Sequence, residues 1–537
     1  MSAQPPPPRS QPPGPAPLPR TPGPQPLAQA PSLPSPLPQP ARQARRVLDR
    51  RALASYALFA LPLAMMALPV YLFAPPLYVR SGGLPLAEVG AVLLAVRVLA
   101  ALADPLLGWW MARSGRAYAW HAALSLPLLL AGCAALFHPP PLAAAALLAW
   151  FGAALMLVYL GYGLATIAHQ SWGAALAADA SDRVRLMSSR EGCGLLGAVL
   201  AAGCSDLLGY GALSLVFGAC LLCAAWLLLR RAPRPGGLPT APDNGASLAE
   251  LVAPQPGGPC VAPDGTAGLA ELIAPWREAR FRALFSIYAA SALAGAVPAT
   301  LFVFFAADRV RLPDSWAGPL LVLYLLAAAG SMPLWSALAR RWGEIAAWQC
   351  GMLMSALVFI WAYALGPSDG GAFAAICVLT GLAGGADLAL PPALLASLSE
   401  PAAAPAAGLV AAAPAPGATL AAPGTAAQLR APAPGAPLAV LGPAAPSPAP
   451  YFAWWNWCTQ LALALAAGAT LPLLALLGYQ PGSADPGTGP GPMAAPQGTA
   501  VLAAAYALLP CALKLLAWLL LMRAATGSLK GLTRRHP

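Results

Sequence analysis

Twelve apolar runs of about 20 residues or more dominate the chain, each long enough for an α-helix to cross the roughly 30 Å hydrocarbon core of a bilayer. They fall near 52–74, 87–111, 118–137, 142–168, 186–206, 211–230, 281–307, 316–338, 345–365, 371–396, 452–478 and 500–523. A bilayer core offers no water to backbone groups, so such runs must be helices that satisfy their own hydrogen bonds. Only 9% of the residues are charged, against roughly 25% in soluble domains. Pro62, Pro69, Pro127, Pro298 and Pro333 lie inside the runs; membrane helices tolerate such prolines as kinks, where a soluble helix would break. The predicted class is an all-α membrane protein with twelve transmembrane helices. The division between the fifth and sixth runs rests only on the short stretch DLLGYG.

The basic residues orient the chain. With the N-terminus inside, the outer connections hold Arg80, Arg309 and Arg311, and Arg97 and Lys514 lie within runs. All other Lys and Arg fall on the side of the termini, the asymmetry of the positive-inside rule, which predicts cytoplasmic termini. The formal net charge of +11 thus reflects topology, and no nucleic-acid partner is expected. Residues 1–51, rich in Pro, Gln and Arg, read as a disordered cytoplasmic tail, without the short apolar core of a signal peptide. Residues 52–230 form an N-terminal six-helix half, 231–280 a central cytoplasmic loop, 281–523 a C-terminal six-helix half and 524–537 a cytoplasmic tail. Within the second half, 401–450 is an insertion of Ala, Pro and Gly whose prolines exclude a helix.

Most of the ten cysteines sit inside apolar runs, Cys133, Cys204 and Cys377 among them. Cys220 and Cys223 form a C-x-x-C without polar company or a second ligand pair, so they read as packing residues and no metal is expected. Walker A and H-E-x-x-H patterns are absent from the sequence and no catalytic set appears, which argues against an ATP-driven pump in cis and against an enzyme.

An internal repeat joins the two halves. Aligning Pro105 with Pro333 places Arg113 opposite Arg341 and Gly115 opposite Gly343. This fits two parallel repeats about an axis normal to the membrane, with a solute site near mid-membrane between them. The repeat diverges where Arg97 and Asp104 face Leu325 and Met332, which places charged coupling groups mainly in the first half. Ionisable residues inside a membrane are costly and mark function by default. Arg97 and Asp104 lie two turns apart on one face of the second run, either as a charge relay toward a central cavity or as a structural bridge. His169 offers a proton site near neutral pH or a hydrogen-bonded interfacial ring. Asp387, beside glycines that allow close helix approach, is a site or gating candidate. Lys514 reads mainly as a snorkelling side chain. Asp179, Asp182, Arg183, Arg185, Arg190 and Glu191 form a mixed-charge cluster after the fourth run, either a solvated loop or ion pairs that hold one end closed. The aromatics around Trp455 and Asn456 read first as an interfacial belt, and alternatively as a stacking wall.

ADPLLGWWMARSGR on the second run, HQSWGAALAADASDRVRLMSSREG after the fourth, and ADLALPPALLAS with YFAWWNWCTQLALALAAG near the tenth and eleventh resemble the glycoside–pentoside–hexuronide:cation symporters of the major facilitator superfamily. The resemblance implies a cation-coupled carrier working by alternating access. It implies that Arg97 and Asp104 match an arginine and the second of two aspartates used for cation binding, while Ala101 stands at the first. Thr166 stands where sugar-transporting members keep an acid, and Thr459 or Gln460 where they keep a lysine.

The expected protein is therefore a monomeric secondary transporter of the bacterial inner membrane, moving a small organic solute, most simply a sugar or glycoside. No cofactor is expected; the coupling ion is H+ or Na+, with the shortage of carboxylates favouring H+. Arg97, Asp104, Thr166, His169 and Asp387 are the coupling candidates, and Tyr162, Trp172, Trp455, Asn456 and Gln460 the solute contacts. Arg113, Asp179, Asp182, Arg183, Arg190 and Glu191 are the candidates for a cytoplasmic gate. A lipid or lysophospholipid carrier of the same fold and a non-transporting receptor or scaffold are the alternatives. A carrier would turn Asp104 toward a water-filled cavity; a scaffold would close it in an ion pair.

Overall fold

The computed structural model describes residues 49–72, 74–80, 82–177, 179–234, 269–399, 447–479 and 496–530. The N-terminal tail, most of the central loop and most of the 401–450 insertion lie outside them. Regular structure among the described residues is entirely helical. The first part of the chain contains α1 (Arg50–Ala57), α2 (Ala60–Leu72), α3 (Ala74–Arg80), α4 (Leu86–Arg113), α5 (Tyr118–Phe137), α6 (Ala144–Leu176) and α7 (Ala180–Arg231). After the central loop come α8 (Leu269–Leu272), α9 (Ala274–Arg277), α10 (Ala279–Phe304), α11 (Asp314–Trp342), α12 (Glu344–Phe359), α13 (Gly370–Leu398), α14 (Ala449–Leu476), α15 (Pro496–Ala503) and α16 (Leu509–Thr526). A π-helical turn, Phe305–Arg309, continues α10, and another, Ala504–Leu508, joins α15 to α16.

Ten of the expected runs coincide with helical segments long and apolar enough to cross a membrane. The first run does not: it is divided among α1, α2 and α3, in a stretch that carries Pro62, Pro69, Pro75 and Pro76. The fifth falls in α7, whose 52 residues are helical throughout. A straight helix of that length would reach about 78 Å. Yet Met187 packs against Gly173, while the indole Nε1 of the adjacent Trp172 donates to the Pro233 carbonyl at 2.9 Å. Both ends of α7 therefore meet the same end of α6. Between them Ser214 lies 4.0 Å from Cys133, toward the far end of α5, so the chain reverses along this stretch.

The outer surface is apolar and the polar groups point inward. On α4, Leu94, Val98, Leu99, Leu102 and Leu106 are exposed, whereas Ala101 and Asp104 are buried. Such a surface suits lipid, which is as apolar as these side chains. Described cysteines are free thiols, Cys220 and Cys223 included. The repeat extends to backbone geometry. Gly115 after α4 and Gly343 after α11 both take positive φ, +61° and +88°, a conformation that favours glycine over residues with a Cβ.

The two parts of the chain meet tightly at the end where Arg113, Arg340 and Arg341 lie. There α4 crosses α14 at Gly108, where a Cβ would stand 2.8 Å from the Ala449 carbonyl oxygen. Ser336 of α11 donates to Ser188 of α7 at 2.8 Å. The core at this end draws Ala174, Val184 and Met187 from the first part together with Phe281, Trp335, Trp348 and Phe452 from the second. Among the described residues, the core at the opposite end, which runs from Ala296 to Ala507, contains only residues of the second part. The arginine-rich end is the closed one.

Candidate transport site

A cavity of about 120 Å³ lies between the two parts of the chain. Its walls differ. Met66, Ala67 and Val70 of α2 and Val158 of α6 supply an apolar side, with Tyr159 and Tyr162 beside them. Asn456, Thr459 and Gln460 of α14 supply a polar side without formal charge. Helical spacing explains this: Asn456, Thr459, Gln460 and Leu463 recur at three- and four-residue intervals and so share one face of α14.

Asp104 reaches this cavity through one residue. It is 3% exposed, and its Oδ2 accepts a hydrogen bond from Asn456 Nδ2 at 2.7 Å. The bond joins α4 to α14, the two helices that cross at Gly108 one turn further on. Asp104 thus neither opens directly on the cavity nor closes in an ion pair with its described partner; it is held by a neutral amide that itself lines the cavity. Arg97 is half-buried on α4, about 10 Å of helix away from Asp104. Thr166, one turn along α6 from Tyr162, is buried with no hydrogen-bond partner for its hydroxyl among the described residues.

Behind the polar wall, Tyr288 of α10 shares a 2.8 Å hydrogen bond with Thr459 and stacks on Trp455 at 3.5 Å between ring centroids, 17° from parallel. Trp455 is therefore neither an interfacial residue nor among the side chains that line the cavity, contrary to both expectations; it braces Thr459 from behind. Trp172 is likewise no cavity residue. It is 1% exposed and bonded to the end of α7.

His169 is removed from the cavity too. Its Nε2 lies 2.9 Å from the Tyr56 carbonyl oxygen, and the Tyr56 hydroxyl donates to the His169 carbonyl at 3.0 Å. Since a carbonyl only accepts, Nε2 carries the proton. The ring packs against Tyr56 and Phe59, and the pair ties α6 to α1.

The second part of the chain holds a buried ion pair, where the repeat comparison led us to expect charge mainly in the first. Lys514 Nζ lies 2.7 Å from Asp387 Oδ2 and donates to Ser291 Oγ at 2.7 Å. Asp387 Oδ1 accepts from Trp348 Nε1 at 2.9 Å and from Ser291 at 3.1 Å. Lys514 is 7% exposed, so it does not snorkel. Its role was not legible because the partners sit on α13 and α16, 127 residues apart, with no spacing to connect them.

At the closed end, Arg113 pairs with Glu271 of α8 at 3.6 Å, each about a third exposed. Trp454 Nε1 donates to the Leu272 carbonyl at 2.9 Å, and Trp276 of α9 packs on Phe281, Phe285 and Trp454. This short segment of the central loop spans from α4 to α14. The mixed-charge cluster contributes pairs within α7 itself: Asp182 with Arg185 at 3.6 Å, and Arg190 with its neighbour Glu191. Asp179 caps the helix by accepting from the Asp182 amide at 2.8 Å. Arg183 is buried close by.

The family model described as MFS/sugar transport protein matches residues 55–210 and 269–403. The chain belongs to this family, that of the glycoside–pentoside–hexuronide:cation symporters within the major facilitator superfamily. It is a multi-pass integral membrane protein and a transporter of the secondary kind, not an enzyme. No curated protein matches the sequence. Among solved structures, a bacterial homologue of the iron transporter ferroportin in its outward-facing state is similar at 14% identity and a TM-score of 0.56, with 89% of this chain and 98% of that one covered. The human organic anion transporter MFSD10 is similar at 17% identity and a TM-score of 0.55, covering 88% and 99%. A variant of the E. coli fucose:proton symporter FucP is similar at 13% identity and a TM-score of 0.55, covering 88% and 98%. At these identities the likeness speaks to the fold.

Proposed function

We propose that this transporter moves a small neutral organic solute, a sugar or glycoside, by cation-coupled alternating access, and that the solute binds in the cavity between α2, α6 and α14. The observation that carries the proposal is the position of Asn456, which lines the cavity and donates to Asp104 at 2.7 Å. A solute hydroxyl that engages the Asn456 amide competes directly for Asp104's donor. A carboxylate that loses a donor inside a membrane binds a cation more tightly, so solute and ion occupancy are linked. A proton suits the site better than sodium, because sodium asks for several oxygen ligands and Asp104 stands there with an amide partner. A solute neutral in charge suits walls that carry none. The apolar side would take the C–H face of a sugar, and Asn456, Thr459 and Gln460 its hydroxyls.

The arginine-rich end is the cytoplasmic one in this proposal, which makes the described state closed to the cytoplasm, in a bacterial inner membrane. Opening to the cytoplasm would separate α4 from α14 and Ser188 from Ser336, and would break the Asp104–Asn456 bond in the same movement. Coupling then follows from geometry, since the bond that senses the solute also spans the moving interface.

The test is solute-driven ion movement in proteoliposomes, with sugars supplied to wild type and to Asp104→Asn. We expect wild type to take up protons on addition of its solute, and the variant to exchange solute without net ion flux. Solute-driven ion flux that survives the substitution would remove Asp104 from coupling. Folded protein that moves no sugar while exchanging a lysophospholipid would replace the solute class.

A further inference from the structure

The network around Lys514 has the form of an occupied cation site. One carboxylate oxygen of Asp387 and the hydroxyl oxygen of Ser291 both lie 2.7 Å from the ammonium nitrogen. The other carboxylate oxygen is held by the Trp348 indole at 2.9 Å and by the Ser291 hydroxyl at 3.1 Å. Four helices, α10, α12, α13 and α16, each supply one member, so the oxygens are fixed by packing rather than gathered by the charge. Asp387 keeps 18% of its side chain exposed against 8% for Lys514. The carboxylate is therefore reachable, and what fills its inner side is the protein's own ammonium.

We propose that Lys514 is a resident cation, occupying at Asp387 and Ser291 a site that would otherwise take a monovalent cation from solution, and thereby confining ion coupling to the first half of the chain. A tethered ammonium is always present at its carboxylate, so no gradient can load or unload it. The second half then remains electrically balanced through the transport cycle. Lys514 is a specificity-determining residue in this sense: it decides how many ions the protein can carry by occupying one place permanently.

The test uses the full chain in detergent and reads thermal stability, which reports on this site whether or not Asp104 couples transport. Lys514→Ala is compared with wild type in NaCl and in choline chloride, in alkaline buffer so that protons do not compete for the carboxylate, and with n-propylammonium added. We expect wild type to be indifferent to the exchange of sodium for choline. We expect Lys514→Ala to melt lower in choline, and to regain stability with rising NaCl or n-propylammonium. Adding Asp387→Asn to Lys514→Ala should abolish that response and restore much of the loss, because no charge is then left uncompensated. Indifference of folded Lys514→Ala to both cations would overturn the proposal. If the single variant cannot be purified in choline but can be in propylammonium, the proposal stands. If the single and double variants are equally unstable and unresponsive, the residues serve packing and the proposal fails.

Discussion

Asp104 and Asp387 both place a carboxylate inside a membrane-spanning helix, and they differ in what holds it. Asp387 meets a full charge, the Lys514 ammonium, and three further hydrogen bonds within one part of the chain close the network. Asp104 meets the neutral amide of Asn456, and that partner belongs to the other part of the chain. The first arrangement satisfies the acid wherever the two parts move relative to each other. The second satisfies it only while α4 and α14 stay together. A carboxylate whose partner is lost on opening must find another, and a proton from the aqueous side is the smallest one available. On the proposed mechanism, the contrast leaves Asp104 as the membrane-buried aspartate that enters the transport cycle and Asp387 outside it.

The comparison breaks most simply by amide substitution. Asp387→Asn leaves a buried ammonium without its counter-charge, and removing one member of a buried pair costs about 3–5 kcal/mol. Asp104→Asn keeps shape and can still hydrogen-bond Asn456, and should cost under ~1.5 kcal/mol. Thermal unfolding in detergent should therefore rank Asp387→Asn well below Asp104→Asn. An equal loss in both would mean that Asp104 also has a charged partner.

A smaller effect is expected at the crossing that holds the Asp104–Asn456 bond. Gly108 lets α4 approach the Ala449 backbone, and a valine there would force the helices apart, at about 1–3 kcal/mol in the closed state. The Asp387 network lies in other helices and should be untouched. A cysteine at Ser336, whose hydroxyl now bonds Ser188, should react with a maleimide faster in Gly108→Val than in the parent. Unchanged labelling would mean that this crossing does not hold the end shut.

How far the sequence foretold these features follows from what each depends on. The spans were legible because a bilayer forces one long apolar run per helix, and ten runs coincide with helices. Asn456 and Gln460 were legible because they interrupt an apolar helix with polar side chains, and Tyr162 because it lies on the fourth run. All three line the cavity. Thr459 and its brace Tyr288 were not among the expected cavity residues: spacing from Asn456 puts Thr459 on the same helix face, but what that face meets depends on packing between distant runs. The apolar wall of Met66, Ala67, Val70 and Val158 was invisible for the same reason. Lys514 was misread because snorkelling depends on depth and neighbours, and its neighbour Asp387 comes from a distant run. Trp172 and His169 look like site residues in sequence, but each bonds a backbone carbonyl at a helix end, a role that any buried donor can fill.

The weakest expected effect sharpens the comparison from outside. Arg113 and Glu271 form an ion pair at 3.6 Å with each side chain about a third exposed, so water and salt screen it as they cannot screen Lys514 and Asp387. Exposed pairs contribute roughly 0–1 kcal/mol, and Arg113→Gln should lower thermal stability by no more than that. The difference between Arg113→Gln and parent should also shrink as NaCl is raised, because the Debye length falls from about 10 Å at 0.1 M to about 3 Å at 1 M. The loss in Asp387→Asn should survive the same titration, since a 2.7 Å contact between side chains only 8% and 18% exposed is screened far less than one between side chains a third exposed. Were Arg113→Gln to destabilise as much as Asp387→Asn and resist salt, the segment Leu269–Arg277 would be part of the buried interface between the two parts of the chain. The closed end would then be held by charge rather than by the packing of α4 on α14.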